Sequence, residues 1–193
     1  MDIARSVCIE SSSGGREFTL DSVHAAEGNI FLVKPISTDF AMNFVSLMKY
    51  MAKDEKEVTL YINSPGGEVE AGLVMYDVIQ AYPYDINICC VGMAASMAAV
   101  LLAGGRKGRR FILPHSKVMI HEPLISDGFG GSATTIEKKT QRILEVKSQI
   151  NGILAKHTRK TVEEIDKATA FDNVMTAEEA ISFGICDKIK SVF

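Results

Sequence analysis

The chain has 193 residues, of which 47% are hydrophobic, and a formal net charge of −3. This length favours one domain that can bury a sizeable core, and the spread of charge along the chain gives no sign of a nucleic-acid or anionic-membrane surface. The basic cluster RKGRR at 106–110 is the one local exception, and five residues form a loop rather than a binding surface.

The first half of the chain alternates strand-like and helix-like segments. After two strand-like runs, REFTL and NIFLV, residues 37–55 have helical spacing. A strand at 57–63, a helix at 68–82 and a strand at 86–91 follow in order. This alternation predicts right-handed crossovers and a mostly parallel sheet covered on both sides, which is an α/β fold.

An uncharged run of 18 residues, 88–105, approaches the length of a membrane span. A spanning helix needs about 20 mostly apolar residues. Much of this run is Ala and Gly, and the strongly apolar residues that remain contribute too little to insert it into a bilayer. Residues 1–15 turn polar almost at once and lack the pattern of a secretory signal. We therefore expect a cytoplasmic protein in which this run forms a strand and then a small-residue helix.

The cysteines do not have the spacing of a zinc site or a disulfide framework. Cys89 and Cys90 are neighbours on a predicted strand, so their side chains point to opposite faces, and no CxxC pair occurs. We expect the cysteines to be small buried apolar residues and expect no metal. They are Cys8, Cys89, Cys90 and Cys186.

The second half contains a strand at 116–124, a glycine-rich stretch and one long helix at 134–157. An apolar stripe on this helix comprises Ile136, Ile143, Val146, Ile150 and Leu154. A stripe this narrow fits two alternatives, a helix that lies along its own domain and a protrusion that packs against another subunit. The pattern leaves both open.

Two short helices close the chain, and each begins with a capping box. The boxes pair Thr161 with Glu164 and Thr176 with Glu179. Gly184 is expected to end the last helix.

Ser96 is a candidate nucleophile because it follows a strand and a turn glycine, at or near the start of a helix. The first turn of a helix offers unpaired backbone N–H groups and a positive dipole end, which stabilise a developing oxyanion. The alternative is that Ser96 caps the helix or is a tolerated small polar residue. The lipase-type G-x-S-x-G elbow is absent.

The turn NSPGG, residues 63–67, is a second candidate element of a site. Pro65 stiffens the turn, while Gly66 and Gly67 permit positive φ and leave room for a substrate backbone to approach an exposed N–H. An ordinary strand-to-helix turn would have the same sequence, so both interpretations stay open.

His121 lies on a predicted strand directly before Glu122 and Pro123, where a histidine can act as a catalytic base. Such a base needs a carboxylate to orient it, but the chain has many, and spacing alone does not select Asp172. The residues therefore indicate a plausible serine and histidine without a proven pair.

Four segments taken together resemble the Clp protease proteolytic subunit family, ClpP. They are LYINSPGG, GMAASMAAVLLAGG, KVMIHEPL and TAEEAISFGICD, and the match runs from about residue 57 to residue 189 in order and spacing. The resemblance implies a ClpP/crotonase-type spiral of ββα units with a protruding handle helix.

The resemblance also implies how a single ClpP-like domain is divided. Residues 1–17 would form an N-terminal axial segment, residues 18–124 and 158–193 the head, and residues 125–157 the handle strand and helix. The glycine-rich segment after Pro123 would be the edge strand along which an unfolded peptide lies.

By the same resemblance, the protein would be a serine endopeptidase with Ser96 as nucleophile, His121 as general base and Asp172 as the acid that orients it. Gly67 and Met97 would supply the N–H groups of the oxyanion hole. No cofactor is implied, because ATP would be used only by a partner protein.

The implied partners are unfolded polypeptides and an AAA+ unfoldase that feeds them into a chamber made of homo-oligomeric, seven-membered rings stacked in pairs. Neither a nucleic acid nor a membrane is an expected partner. Two alternatives are a structural or regulatory subunit of a mixed Clp ring, and a crotonase-like acyl-CoA enzyme. The intact Ser96, His121 and Asp172 argue against the first, and the SPGG and GMAAS motifs argue against the second.

The chain departs from the family pattern at three places, one of which is the glycine-rich stretch ISDGFGGSATTIE, about two residues longer than in the family. Ala170 and Phe171 stand where the family usually has an Asp-Arg pair that contacts the second ring, so the number of stacked rings stays open. Residues 34–36, Lys-Pro-Ile, replace the family's usual G-x-[IV] turn in the part of the subunit that docks the unfoldase.

Overall fold

The computed structural model describes residues 6–11, 14–124 and 130–190. The strands in these ranges are β1 (Ser6–Ser11), β2 (Gly14–Thr19), β3 (Asn29–Leu32), β4 (Val58–Ser64), β5 (Ile86–Ala95), β6 (Arg110–Ile112), β7 (Lys117–Ile120), β8 (Asn173–Met175) and β9 (Lys188–Ile189). The helices are α1 (Leu20–Ala26), α2 (Thr38–Lys53), α3 (Val69–Ala81), α4 (Met97–Ala103), α5 (Ala133–Thr158), α6 (Val162–Thr169) and α7 (Ala177–Phe183).

The main sheet has the strand order β3-β4-β5-β6-β9, and its neighbouring strands are parallel. This confirms the predicted α/β fold with a mostly parallel sheet. Strands β1 and β2 form a separate antiparallel hairpin. Parallel strands need crossover connections, and α2, α3 and α4 supply them between β3 and β6.

Strand β5 changes partners along its length. Its first half pairs with β6 through Ile88–Cys90, and its second half pairs with β7 through Met93–Ala95. Strand β7 in turn pairs antiparallel with β8. The end of β5 therefore lies beside β7, and β8, which comes from a distant part of the chain, lies next to β7.

The expected strand at 86–91 is longer than its sequence indicates. Strand β5 continues through Gly92 to Ala95, and the register with β4 shifts between Ile62 and Ser64. Gly92 has φ of 139°, and its N–H donates to Ser116 Oγ at 2.8 Å. The glycine that looked like a turn is thus an irregular position inside the strand.

The uncharged run at 88–105 divides between the end of β5 and helix α4. All seven residues of α4 are buried. Its alanines let it pack closely against α3, where a Cβ added to Gly72 would meet Met97. Among the described helices, none is long and apolar enough to cross a bilayer.

The long helix α5 is packed unevenly along its length. Ile150 and Leu154 in its C-terminal half are buried, whereas Ile136, Ile143 and Val146 are only partly covered. The C-terminal part of the stripe therefore packs in the chain's own core, and the N-terminal part leaves apolar side chains partly exposed. Residues 125–129 of the expected edge strand after Pro123 lie outside the described residues.

The two predicted capping boxes are confirmed. In each, the threonine side chain accepts from the N–H three residues on, and the glutamate accepts from the threonine's own N–H. Gly184 ends α7 with φ of 99°, as expected.

The prediction for the cysteines was wrong at Cys8, which is exposed in the β1–β2 hairpin, whereas the other three are buried.

Candidate active site

Ser96 stands between the end of β5 and the first residue of α4. Its backbone has φ of 54° and ψ of −126°, a conformation that costs a residue other than glycine about 1–3 kcal/mol. The Ser96 N–H donates to Met119 O at 2.8 Å, which ties the turn to β7. The side chain makes no capping hydrogen bond to α4. The hydroxyl group is therefore not used to cap the helix, which removes the capping alternative and leaves that of a tolerated small polar residue.

The turn after β4 lies directly against Ser96. A Cβ added to Gly66, which has φ of +92°, would be 2.6 Å from Ala95 O, 2.7 Å from Ser96 Cβ and 3.0 Å from Met97 N. Only a glycine allows this close approach. The NSPGG turn and the helix start thus form one compact site.

Hydrogen bonds hold that turn in place. Ile36 N donates to Gly66 O at 2.7 Å, and the Gly66 N–H donates to Ser64 Oγ at 3.2 Å. Ser64 Oγ donates to Lys34 O at 2.7 Å. Ser64, which is buried, was not among the predicted site residues; its place inside the NSPGG motif at the end of a strand is the signal that could have identified it.

Two backbone N–H groups beside Ser96 remain available. Within the described part of the chain, neither Gly67 N nor Met97 N has a hydrogen-bond acceptor. Met97 is the first residue of α4, and its N–H points out of the helix end. These donors are the two that the family resemblance implies for an oxyanion hole.

His121 and Asp172 meet through the β7–β8 ladder. Ile120 pairs with Asn173, and the next position of the antiparallel register places His121 opposite Asp172. His121 Nδ1 lies 3.3 Å from Asp172 Oδ1. The His121 side chain is 14% exposed and the Asp172 side chain 73% exposed. The imidazole is thus held inside the site while its carboxylate partner reaches solvent.

The expectation that His121 lies within a strand was wrong by one residue, because β7 ends at Ile120. The Glu122 N–H donates to Thr169 O at 2.8 Å, at the end of α6, and so leaves the strand ladder. Pro123 has no N–H to continue it. His121 is consequently the first residue after the strand, on the same edge of the sheet as Ser96.

Ser96 and His121 line one small cavity. Its other walls are mostly apolar and comprise Val69, Met97, Val100, Ile120, Pro123, Ile150 and Leu154. No hydrogen bond joins Ser96 to His121 in the described structure, and such contacts commonly tighten only when substrate binds. The volume of the cavity is about 20 Å³, which is room for one water molecule and not for a substrate side chain.

The family model for Clp protease matches residues 12–192, which is nearly the whole chain. The chain belongs to the Clp protease family. As a Clp protease family member the protein is a peptidase, and the resemblance stated from its motifs is confirmed. The individual roles of Ser96, His121, Asp172, Gly67 and Met97 stay predictions, and the structure brings these five residues to one edge of the sheet.

Proposed function

We propose that this protein is a serine endopeptidase that hydrolyses peptide bonds of unfolded polypeptides. The observation that carries the proposal is the position of Ser96, with an unused hydroxyl group in a strained strand-to-helix turn, in the same cavity as the His121 ring. The His121–Asp172 contact supports it, because an orienting carboxylate is what a histidine base requires.

The proposed reaction is a two-step acyl transfer. His121 takes the proton of the Ser96 hydroxyl as its oxygen attacks the peptide carbonyl, and then gives that proton to the leaving amine. Water, deprotonated by the same histidine, then attacks the acyl group and releases both the carboxylic acid and the serine. Asp172 holds the imidazole in the required tautomer throughout. No cofactor takes part.

Gly67 N and Met97 N would bind the tetrahedral oxyanion. Met97 directly follows Ser96, and Gly67 directly follows Gly66, which packs against Ser96; other described groups do not occupy either N–H. Donors of this kind act without reorganising during the reaction, and loss of one typically costs about 10²- to 10³-fold in kcat. The residues around Ser96 are mostly apolar, which favours a hydrophobic side chain near the cleaved bond once binding widens the small cavity between them.

We further propose that the subunit works in homo-oligomeric, seven-membered rings fed by a cytoplasmic AAA+ unfoldase, which would be the only component to use ATP. The half-covered apolar stripe of α5 supports an oligomer, because such surface is costly to leave in water. A mostly apolar groove supports a docking loop of the unfoldase. It lies between α1, β3 and α2; its apolar lining comprises Ala25, Ile30, Phe31, Val33, Phe40, Phe44 and Leu47, and its polar lining comprises Asp21, Asn29, Lys34 and Asn43.

The test is hydrolysis of a short fluorogenic peptide by purified protein, compared with the Ser96→Ala variant, together with native mass measurement. The proposal expects slow cleavage that depends on Ser96 and a multi-subunit particle. If every assembly state fails to cleave the peptide, the regulatory-subunit alternative gains and the enzyme proposal fails. A stable monomer would contradict the chamber.

A further inference from the structure

Lys147 of α5 makes two ion pairs close to the His121–Asp172 contact. Its Nζ atom lies 3.0 Å from Glu122 Oε2 and 2.8 Å from Asp166 Oδ1. The Lys147 side chain is 23% exposed, so most of its stem is packed against the protein. Both carboxylates accept from one ammonium group and are therefore close neighbours.

The two carboxylates belong to the two segments that carry His121 and Asp172. Glu122 directly follows His121, and Asp166 lies on α6, which ends three residues before Asp172. The Asn151 side chain, one turn along α5 from Lys147, donates to Asp166 Oδ1 at 3.3 Å. Helix α5 thus contacts both segments, through Lys147 and Asn151.

Within the described residues, one backbone hydrogen bond joins these two segments beyond the strands. The ladder ends at Ile120 and Asn173, and after it a backbone hydrogen bond from Glu122 N to Thr169 O joins them. Asp172 is mostly exposed and gains little from packing. An added restraint at this point would decide whether its carboxylate stays within reach of the imidazole.

We infer that Lys147 is a positioning residue, which holds His121 and Asp172 in register by binding the segment after β7 and the helix before β8 at once. The inference rests on the proposed serine peptidase function. The hydrogen bonds that Lys147 donates to Asp166 and Glu122 raise the pKa of Lys147, so its charge persists over the working pH range. Without that charge, the two neighbouring carboxylates repel each other and push the segments apart.

The variant Lys147→Met tests the inference, because it keeps the apolar stem and removes the charge. We expect kcat for a fluorogenic peptide to fall about 10- to 100-fold with KM within about twofold, since small displacements of catalytic groups have effects of this size. The labelling rate of Ser96 by a fluorophosphonate should fall in parallel. Lys147→Arg, which keeps the charge, should restore most of both rates.

Lys156→Met is the matched control, because it removes an exposed cation from the same helix, and its kcat should equal that of the wild type. A triple variant, Lys147→Met with Glu122→Gln and Asp166→Asn, should recover part of the lost rate since the repulsion is gone. Wild-type kcat in Lys147→Met contradicts the inference, and so does an arginine variant as slow as the methionine variant.

The activity of the wild type distinguishes a failure of this inference from a failure of the proposed function. If wild-type protein hydrolyses the peptide through Ser96 and Lys147→Met does so equally well, only the positioning role of Lys147 fails. If the wild type has no Ser96-dependent activity, the proposed function fails, and the positioning role falls with it.

Discussion

His121 Nδ1 lies 3.3 Å from Asp172 Oδ1, and the two residues face each other one position beyond the end of the β7–β8 ladder. An antiparallel ladder fixes which residues stand opposite each other, so this contact depends on the pairing of strands 53 residues apart in the chain (173 minus 120). The pairing therefore gives the histidine its orienting carboxylate.

Asp172→Asn tests that contact. The amide can still touch the imidazole but favours the wrong tautomer, so we expect kcat for a fluorogenic peptide to fall about 10²- to 10⁴-fold with little change in KM. Asp77→Asn, on the exposed face of α3, is the matched control and should behave as wild type. An Asp172→Asn enzyme with full activity would remove Asp172 from the proposed mechanism.

Gly66→Ala tests the packing of the NSPGG turn on Ser96. An alanine there is strained at φ of +92° and places its Cβ 2.6 Å from Ala95 O, so the turn must move away from the nucleophile. We expect at least about 10²-fold loss of kcat, since a displacement of about 1 Å is enough for this. The measurements are kcat from steady-state peptide hydrolysis and the midpoint of urea unfolding.

Gly152→Ala is the control for that variant, because nothing lies within 4 Å of a Cβ added there and the residue is inside α5. It should raise the free energy of unfolding by about 0.5–1 kcal/mol and leave kcat unchanged. Equal activity in both alanine variants would contradict the close contact between Gly66 and Ser96.

Thiol labelling tests the placement of the cysteines. Cys8 is exposed, whereas burial raises the pKa of the Cys89 and Cys186 thiols and raises that of Cys90 to about 12. Since the thiolate is the reactive form, iodoacetamide at pH 8 should label Cys8 quickly and the other three only after denaturation. Mass spectrometry of the native and unfolded protein gives the sites. Rapid labelling of Cys90 in the native protein would contradict the fold.

His157 should make stability depend on pH. Its Nε2 atom lies 2.8 Å from the Tyr76 hydroxyl oxygen, and burial, aided by the charges of Lys156 and Arg110, lowers its pKa. The unfolded chain therefore takes up this proton first, so His157 lowers the free energy of unfolding as the pH falls below about 6.5. Above that pH the effect is absent.

The measurement is the urea midpoint at pH 7.5 and pH 5.5, at one protein concentration. His157→Gln should lose less stability between the two values than the wild type does. His115→Gln, at an exposed loop position, is the control and should lose as much as the wild type. An identical loss in all three proteins would exclude His157 as a source of the pH dependence.

The elements that could be predicted from the sequence are those whose signals are local. The capping boxes at Thr161 and Thr176 were found because each motif spans only four residues. Helices α2 and α3 have helical apolar spacing, and the buried residues of α2 fall on one face. The motifs around Ser96 and NSPGG also placed the helix start and the glycine turn correctly.

The parts that could not be predicted depend on long-range pairing. Strands β6, β8 and β9 have two or three residues each, too few to show any periodicity. Asp172 precedes β8, so its position opposite His121 follows from a register that no local pattern encodes. Spacing therefore could not select Asp172 among the carboxylates, and only the family resemblance pointed to it.

The most direct test of the account is to identify the residue that an active-site-directed fluorophosphonate modifies. Peptide mapping by mass spectrometry should place the adduct on Ser96, and His121→Ala should abolish it because the hydroxyl group then lacks its base. Modification of a different residue, or peptide hydrolysis that persists in Ser96→Ala, would contradict the claim that Ser96 is the nucleophile.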